Sequence, residues 1–208
     1  MKLLLFRATL LSAGALFLAT TASVSRAAII VPPGAIWEYT FSDPTGNPIW
    51  NTTTGAWTTG AAPFSSRPDG DFGANTPWPV DGSDLDDDLW LRVAVDLTGY
   101  DLNTIDYDLG VDNGFKLYAN GNLIASDNAE GGTSRWEYSG TIESGSLLSG
   151  FNVFAVALED HGEGTSFDMQ VSGTPKAGGV PDGGSTAMMI ALGGILAVAA
   201  RRKLSVCT

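Results

Sequence analysis

Apolar and polar residues alternate through much of the middle of the chain. From Leu89 to Leu97, the residues Leu89, Leu91, Val93, Val95 and Leu97 fall on one face, with Arg92 and Asp96 on the other. That is the period-two signature of a half-buried strand. Ile36 to Phe41 repeats it, with Trp37, Tyr39 and Phe41 opposed to Glu38 and Thr40. So does Thr104 to Val111, with Ile105, Tyr107, Leu109 and Val111 against Asp106 and Asp108. After the turn Asp112-Asn113-Gly114, Phe115 to Ala119 and Asn122 to Ser126 flank Asn120-Gly121, a dipeptide suited to a two-residue hairpin because both positions tolerate positive φ. Trp136 to Ile142 is a further strand. Asn152 to Glu159 is apolar on both faces, as a central buried strand would be. Ser166 to Val171 closes the series with Phe167, Met169 and Val171 inward.

Two stretches lack this periodicity. Ala28 to Pro33 reads as a short lead-in. Ser42 to Asp88 is dominated by Gly, Pro, Thr, Asn and Asp, with Trp50, Trp57, Phe64 and Trp78 scattered through it. A structureless run of that length is unusual in a compact domain, so one or two short strands are expected there, with the aromatic side chains pinning it to the body. About eight short strands separated by turn signals predict an all-β fold, a β-sandwich or jelly roll. With 26 Gly and 10 Pro in 208 residues, composition agrees.

Charge changes the picture at the ends. Six of the 11 basic residues are Lys2, Arg7, Arg26, Arg201, Arg202 and Lys203, whereas all 23 acidic residues lie between Glu38 and Asp182. The middle therefore sets five basic against 23 acidic residues, a net charge of −18, compared with −12 for the whole chain. Such a field repels nucleic acid and anionic lipid headgroups. It attracts divalent cations or basic surfaces, or serves only to keep the domain soluble. Cys207 is the single cysteine, so no disulfide forms within one chain and the fold rests on its apolar core.

Residues 1–27 have the form of a secretory signal peptide: Lys2 and Arg7 in front, an apolar stretch from Leu10 to Leu18, and Ser25-Arg26-Ala27 before a cut expected between Ala27 and Ala28. A retained anchor is the alternative, although the apolar stretch is shorter than the ~20 residues a span needs. At the other end, Val180-Pro181-Asp182-Gly183 precedes an apolar run from Ala187 to Ala200 and then Arg201-Arg202-Lys203. This tail resembles the PEP-CTERM sorting domain of Gram-negative bacteria in its Val-Pro-Asp variant, with Pro-Asp-Gly where Pro-Glu-Pro is commoner. The resemblance implies processing near Pro181 by an exosortase, a membrane protease. It also implies transient residence in the inner membrane and delivery to the cell surface or outside it. A plain C-terminal anchor is the other reading. The basic stop would keep the C-terminus cytoplasmic and place the domain on the periplasmic side.

The middle resembles the galactose-binding-like jelly roll that accompanies many secreted glycosidases. The matching residues are Leu89-Trp90-Leu91-Arg92, the run from Val111 to Gly121, Gly150-Phe151-Asn152-Val153-Phe154-Ala155-Val156, and Phe167-Asp168-Met169. The expected organisation is a signal peptide over 1–27, a β-jelly-roll domain over 28–174, and a linker with the sorting motif over 175–184. A transmembrane helix with its basic stop follows over 185–203, then a cytoplasmic tail over 204–208.

Chemistry is thinly marked. The one histidine, His161, stands in a Glu159-Asp160-His161-Gly162-Glu163 turn with no nucleophile-elbow pattern to pair with it, and carboxylate pairs are too numerous to single out an acid and a nucleophile. One His and no cysteine in the domain exclude an ordinary zinc site. Asp84, Asp86, Asp87 and Asp88 supply hard oxygen ligands for a structural calcium, or form a solvated acidic loop. They do not fit an EF-hand, because Leu89 stands where its glycine belongs and Val95 where its glutamate belongs. Trp57, Trp78 and Trp136, with Arg135 beside the last and Asn75 and Asp81 near the second, could stack on and hydrogen-bond a glycan, or anchor long loops. The expectation is a non-catalytic domain at the cell surface or in its extracellular polysaccharide. A carbohydrate-binding module with a defined ligand stands second and a hydrolase third.

Overall fold

The computed structural model describes residues 26–67, 72–79, 88–128, 134–161 and 164–176. The sorting motif Val180, Pro181, Asp182 and Gly183, the basic stop Arg201, Arg202 and Lys203, and Asp84, Asp86 and Asp87 lie outside them. Twelve strands run β1 Ala28–Val31, β2 Ile36–Thr40, β3 Thr58–Ala61, β4 Phe64–Ser65, β5 Thr76–Pro77 and β6 Leu89–Asp96. They continue as β7 Asp106–Asp112, β8 Gly114–Ala119, β9 Asn122–Asp127, β10 Tyr138–Thr141, β11 Phe151–Glu159 and β12 Ser166–Gly173. Two single 3₁₀ turns, Leu102–Thr104 and Ser144–Ser146, are the only helical pieces among the described residues, and no helix there is long and apolar enough to cross a membrane.

The strands form two six-stranded sheets, and the fold is a β-sandwich. One sheet runs β10-β7-β12-β4-β5 with β1 also on β12; the other runs β3-β2-β6-β11-β8-β9. From β5 onward the chain changes sheet at every connection except the β8–β9 hairpin. That hairpin turns on Asn120 at φ 50° and Gly121 at φ 82°, the double positive φ that the dipeptide favours. Alternation was a sound guide to the core. Leu89, Leu91, Leu109, Val111, Leu117, Phe154, Val156, Phe167 and Met169 all face inward and are fully buried. Aromatic rings bridge the two sheets edge to face, Trp37 on Phe167 at 5.2 Å and Phe115 on Tyr138 at 4.7 Å.

Two departures have clear causes. The lead-in is a strand, for Ala28–Val31 pairs antiparallel with the end of β12 through a register shift between Ile29 and Val31. A bulge breaks strict alternation, so the period-two test passes over it. The described residues of the stretch from 42 to 88 hold three short strands rather than one or two.

Candidate functional site

The outward faces of strands are not all solvated. In the β2–β6–β11–β8 sheet, register sets Glu38 opposite Arg92, Arg92 opposite Ala155, and Ala155 opposite Tyr118. The next row sets Thr40, Trp90, Ala157 and Lys116 side by side. The central strand thus contributes two alanines flanked by long side chains. A row of methyl groups between aromatic and charged neighbours leaves a depression along β11.

The segment 41–57 folds across this face. Its conformation is local in origin: Asp43 accepts the Thr45 amide at 2.7 Å, Asn47 accepts the Ile49 amide, and backbone bonds Asn47 to Pro44 and Trp50 to Asn47 follow. These are the Asx and β-turns that Asp, Asn, Pro and Gly favour. Its attachment is long-range. Arg92, 4% exposed, bonds Glu38 through Nε at 2.8 Å, donates to the Trp50 carbonyl at 3.1 Å and to the Gly55 carbonyl, and lies 3.8 Å above the Trp57 ring. Glu38 in turn accepts the Gly55 amide at 2.7 Å. Trp50, Trp90 and Ala155 thereby form a second apolar cluster outside the sandwich, against which Trp57, Tyr118 and Ala157 pack. Trp50 lies nearly parallel to Trp57 and edge-on to Tyr118 at 5.5 Å.

Beside this cluster the depression opens as a cavity of about 390 Å³, within the roughly 300–1,000 Å³ of small-ligand sites. Ala157 contributes to it, Trp50, Trp90 and Tyr118 form its apolar walls, and Asp43, Thr45, Asp88, Lys116 and Glu159 its polar rim. Lys116 donates to Glu159, and that hydrogen bond is the main reason its ammonium titrates above the ordinary lysine value. The Thr45 hydroxyl and amide hold the Asp43 carboxyl below the ordinary value. His161 stands at the Glu159 end, Nε2 3.7 Å from a Glu159 oxygen, its amide donating to Asn113.

The aromatic residues singled out from sequence are placed differently from a sugar platform. Trp78 is 0% exposed and belongs to the sandwich core, so its ring is closed to stacking even though the residue borders a depression of about 380 Å³ with Asn75. This corrects its assignment. Trp57 is half-buried under Arg92 and beside Trp50. Trp136, half-buried, carries the Arg135 guanidinium 4.9 Å above its ring. Arg135 pairs with Asp168, which is fully buried although strand parity points it away from the core. Desolvation there raises the Asp168 carboxyl above the ordinary value, against the opposing pull of Arg135 and of the Gly34 and Met169 amides. These residues secure loops on the outer face of the other sheet. Asp88 accepts the Asp160 amide at 3.1 Å, and among the described residues no three His, Cys, Asp or Glu side chains stand close enough together to hold a metal ion. Ala28 begins β1 and Ala27 precedes it, exposed.

The cavity residues Trp50, Trp90, Tyr118, Lys116 and Glu159 are not assigned to a binding site by the sequence reading. One signal was present: parity on the Leu89–Leu97 strand puts Trp90 on the outer face beside Arg92. An outward Trp needs a cover or a ligand.

No family model matches the sequence, and no curated protein matches it significantly. Among solved structures, the chain is similar to β-glucuronidases. It shares 12% identity and a TM-score of 0.46 with an enzyme of an uncultured Clostridium species, covering 72% of this chain and 29% of that one. For the Bifidobacterium dentium enzyme complexed with coumarin-3-O-glucuronide the values are 14% and 0.42, with 66% and 21% covered. For the Lactobacillus rhamnosus enzyme they are 10% and 0.46, with 70% and 28% covered. The chain spans under a third of the length of these enzymes.

Proposed function

We propose that this is an exported, non-catalytic β-sandwich protein of the jelly-roll kind that binds saccharide units in the cavity on the outer face of β6, β11 and β8. The observation that carries the proposal is the make-up of that cavity: alanine between aromatic walls, with a rim of carboxylates, a hydroxyl and an ammonium. Sugar rings present apolar C–H faces and a girdle of hydroxyls, and such a lining meets both at once. A binding role is favoured over hydrolysis by the state of the acids. A glycosidase general acid needs a carboxyl tuned upward, whereas the Thr45 bonds hold Asp43 low.

Export and address rest on the two ends of the chain. The segment 1–27 would direct secretion, and the tail from Val180 to Lys203 would be cut near Pro181 by an exosortase-type protease after brief residence in the inner membrane. The domain would then associate with the cell surface or its polysaccharide. Isothermal titration of the purified protein against soluble oligosaccharides tests the binding. Heat is expected from at least one of them and is lost in Tyr118→Ala. Binding unaffected by that substitution, or absent throughout the panel, would refute the site. Mass spectrometry of the mature protein tests the address, since an intact Arg201-Arg202-Lys203 end means no processing.

A further inference from the structure

Seven large apolar side chains stand exposed among the described residues, and three of them, Ile29, Leu148 and Phe151, share one end of the sandwich. Phe151 is the most exposed of the seven at 76%, with Leu148 at 59%. Phe151 opens β11 opposite Asp96, the last residue of β6. The loop before it is held by polar bonds. Buried Asn152 accepts the Leu148 amide and donates to the Leu148 and Gly150 carbonyls, and the Leu97 amide donates to the same Gly150 carbonyl at 2.8 Å. Four bonds thus fix a loop whose Leu148 and Phe151 side chains pack on neither apolar cluster. An ordered loop that presents apolar groups side by side marks a contact surface.

Both ends of the described domain come out beside that loop. β1 begins at Ala28 opposite Gly173, the last residue of β12. Beyond β12, the Asp101 amide donates to the Thr174 carbonyl at 2.9 Å and the Lys176 amide to the Gly99 carbonyl at 2.7 Å. Gly99 lies two residues past Leu97, so Lys176 leaves the domain next to the Gly150 turn. Ten residues separate Lys176 from the apolar run that starts at Ala187, and ten residues reach at most about 35 Å. The opposite end of the sandwich lies about 30 Å further off, the length of nine-residue β11. A bilayer holding the apolar run therefore meets the Leu148–Phe151 end first. Charge selects the kind of bilayer. Asp96, Asp101, Asp106 and Glu143 stand at this end, against Lys176 and Arg26. Asp96, Asp101 and Asp106 bond neutral amides and a hydroxyl, so those bonds leave their charges uncancelled. Such a rim repels anionic headgroups and accepts zwitterionic ones, whose ammonium groups meet the carboxylates.

We propose, resting on the reading of the tail as a membrane segment, that this end docks the anchored chain on a zwitterionic bilayer through Leu148 and Phe151. The two side chains enter the headgroup boundary, where binding scales with the apolar area buried. Two side chains bury little area, so the contact holds only while the tail keeps the domain close and its effective concentration high. Cutting near Pro181 then frees the domain from the surface as well as from the tail. Removing either side chain lowers the ratio of docked to free domain roughly tenfold.

The test uses the full chain reconstituted in phosphatidylcholine vesicles, with Cys207→Ser removing the native thiol. An environment-sensitive fluorophore is attached in turn at Leu148→Cys, at Phe151→Cys and, as a control on the 41–57 segment, at exposed Ile49→Cys. A lipid-borne quencher is expected to cause loss of fluorescence at 148 and 151 and none at 49. Added phosphatidylglycerol should lower that loss, and so should Phe151→Ser with the probe at 148, while urea unfolding stays unchanged. Vesicles that float without the protein overturn the membrane reading of the tail and the docking with it. Protein that floats with its vesicles but is quenched equally at all three positions, or at none, overturns the docking alone. Quenching that grows with phosphatidylglycerol overturns the choice of lipid. A fluorescence shift at 148 and 151 that appears in lipid-free detergent and grows with protein concentration overturns the proposal in favour of contact between copies.

Discussion

Arg92 is the point at which the outer-face cluster is fastened, and its removal has a calculable effect. In Arg92→Met the chain keeps most of the side-chain volume, but the Trp50 and Gly55 carbonyls lose their donor and the Trp57 ring loses the guanidinium above it. Glu38 retains the Gly55 amide, so it is not left wholly unpaired. Hydrogen bonds from a charged donor contribute about 1.5–3 kcal/mol each, and the cation–π contact about 0.5–2 kcal/mol. Breaking a fully buried pair costs about 3–5 kcal/mol. Glu38 is 20% exposed, so water screens part of the ion pair and the lower end applies. These contributions overlap, and the expected loss is about 3 kcal/mol, or a fall in Tm of roughly 6–12 °C for a domain of this size. Urea unfolding followed by tryptophan fluorescence reads it directly, because Trp50, Trp57 and Trp90 all lie in the affected cluster. A double-mutant cycle with Glu38→Gln should show a coupling of about 1–3 kcal/mol. A loss below about 1 kcal/mol at an unchanged m-value would refute the reasoning, since an m-value change alone would report a different denatured state.

Other consequences are independent of that cluster. Asn152, almost fully buried, accepts the Leu148 amide and an Asn120 Nδ2–H and donates to the Leu148 and Gly150 carbonyls; Asn152→Leu should cost about 2 kcal/mol in denaturant unfolding through the groups left unbonded. Gly110→Ala would place a Cβ 2.5 Å from the Phe72 ring and 3.1 Å from the Trp136 amide, an overpacking expected to lower stability by about 1–3 kcal/mol in thermal melts. For Asp168 the folded-state carboxyl binds its proton more tightly than the unfolded one. The stability it contributes therefore rises as pH falls through the raised folded value, and levels off below the ordinary carboxylate value. Stability–pH profiles of the protein and of Asp168→Asn should diverge in that window, with the slope from this group absent in the variant.

Function and fold meet in the 41–57 segment. It makes a wall of the cavity through Trp50 and part of the rim through Asp43, and it is held by Glu38 and Arg92, which do not line that cavity. The Gly121 turn touches it as well, for a Cβ there would come within 2.8 Å of Thr52. Binding and local stability should therefore change together when Arg92 or Tyr118 is altered, and separately when Lys116 is.

Much of the architecture was legible along the chain. Period-two alternation on Leu89–Leu97 and on Ile105–Val111 specified strands and the face each turns inward, because a pleated strand has only two faces and burial of one imposes the pattern. Asn120-Gly121 specified a hairpin through its tolerance of positive φ, and the two-sided apolar run Val153–Leu158 specified a central strand, since its outer face is covered too. What covers that outer face was decided only by tertiary structure. Alternation sorts residues to one side or the other but says nothing of whether water or a folded-back loop lies there. Arg92 and Asp168 are outward by parity and buried in fact, each beneath a loop whose attachment spans tens of residues of sequence. Trp78 sits in an irregular stretch and ends in the core, while Trp90, on a regular strand, lines the cavity. Short-range preference sets the turns within such loops; where they land depends on long-range partners such as Glu38 and Arg92, which no local pattern pairs.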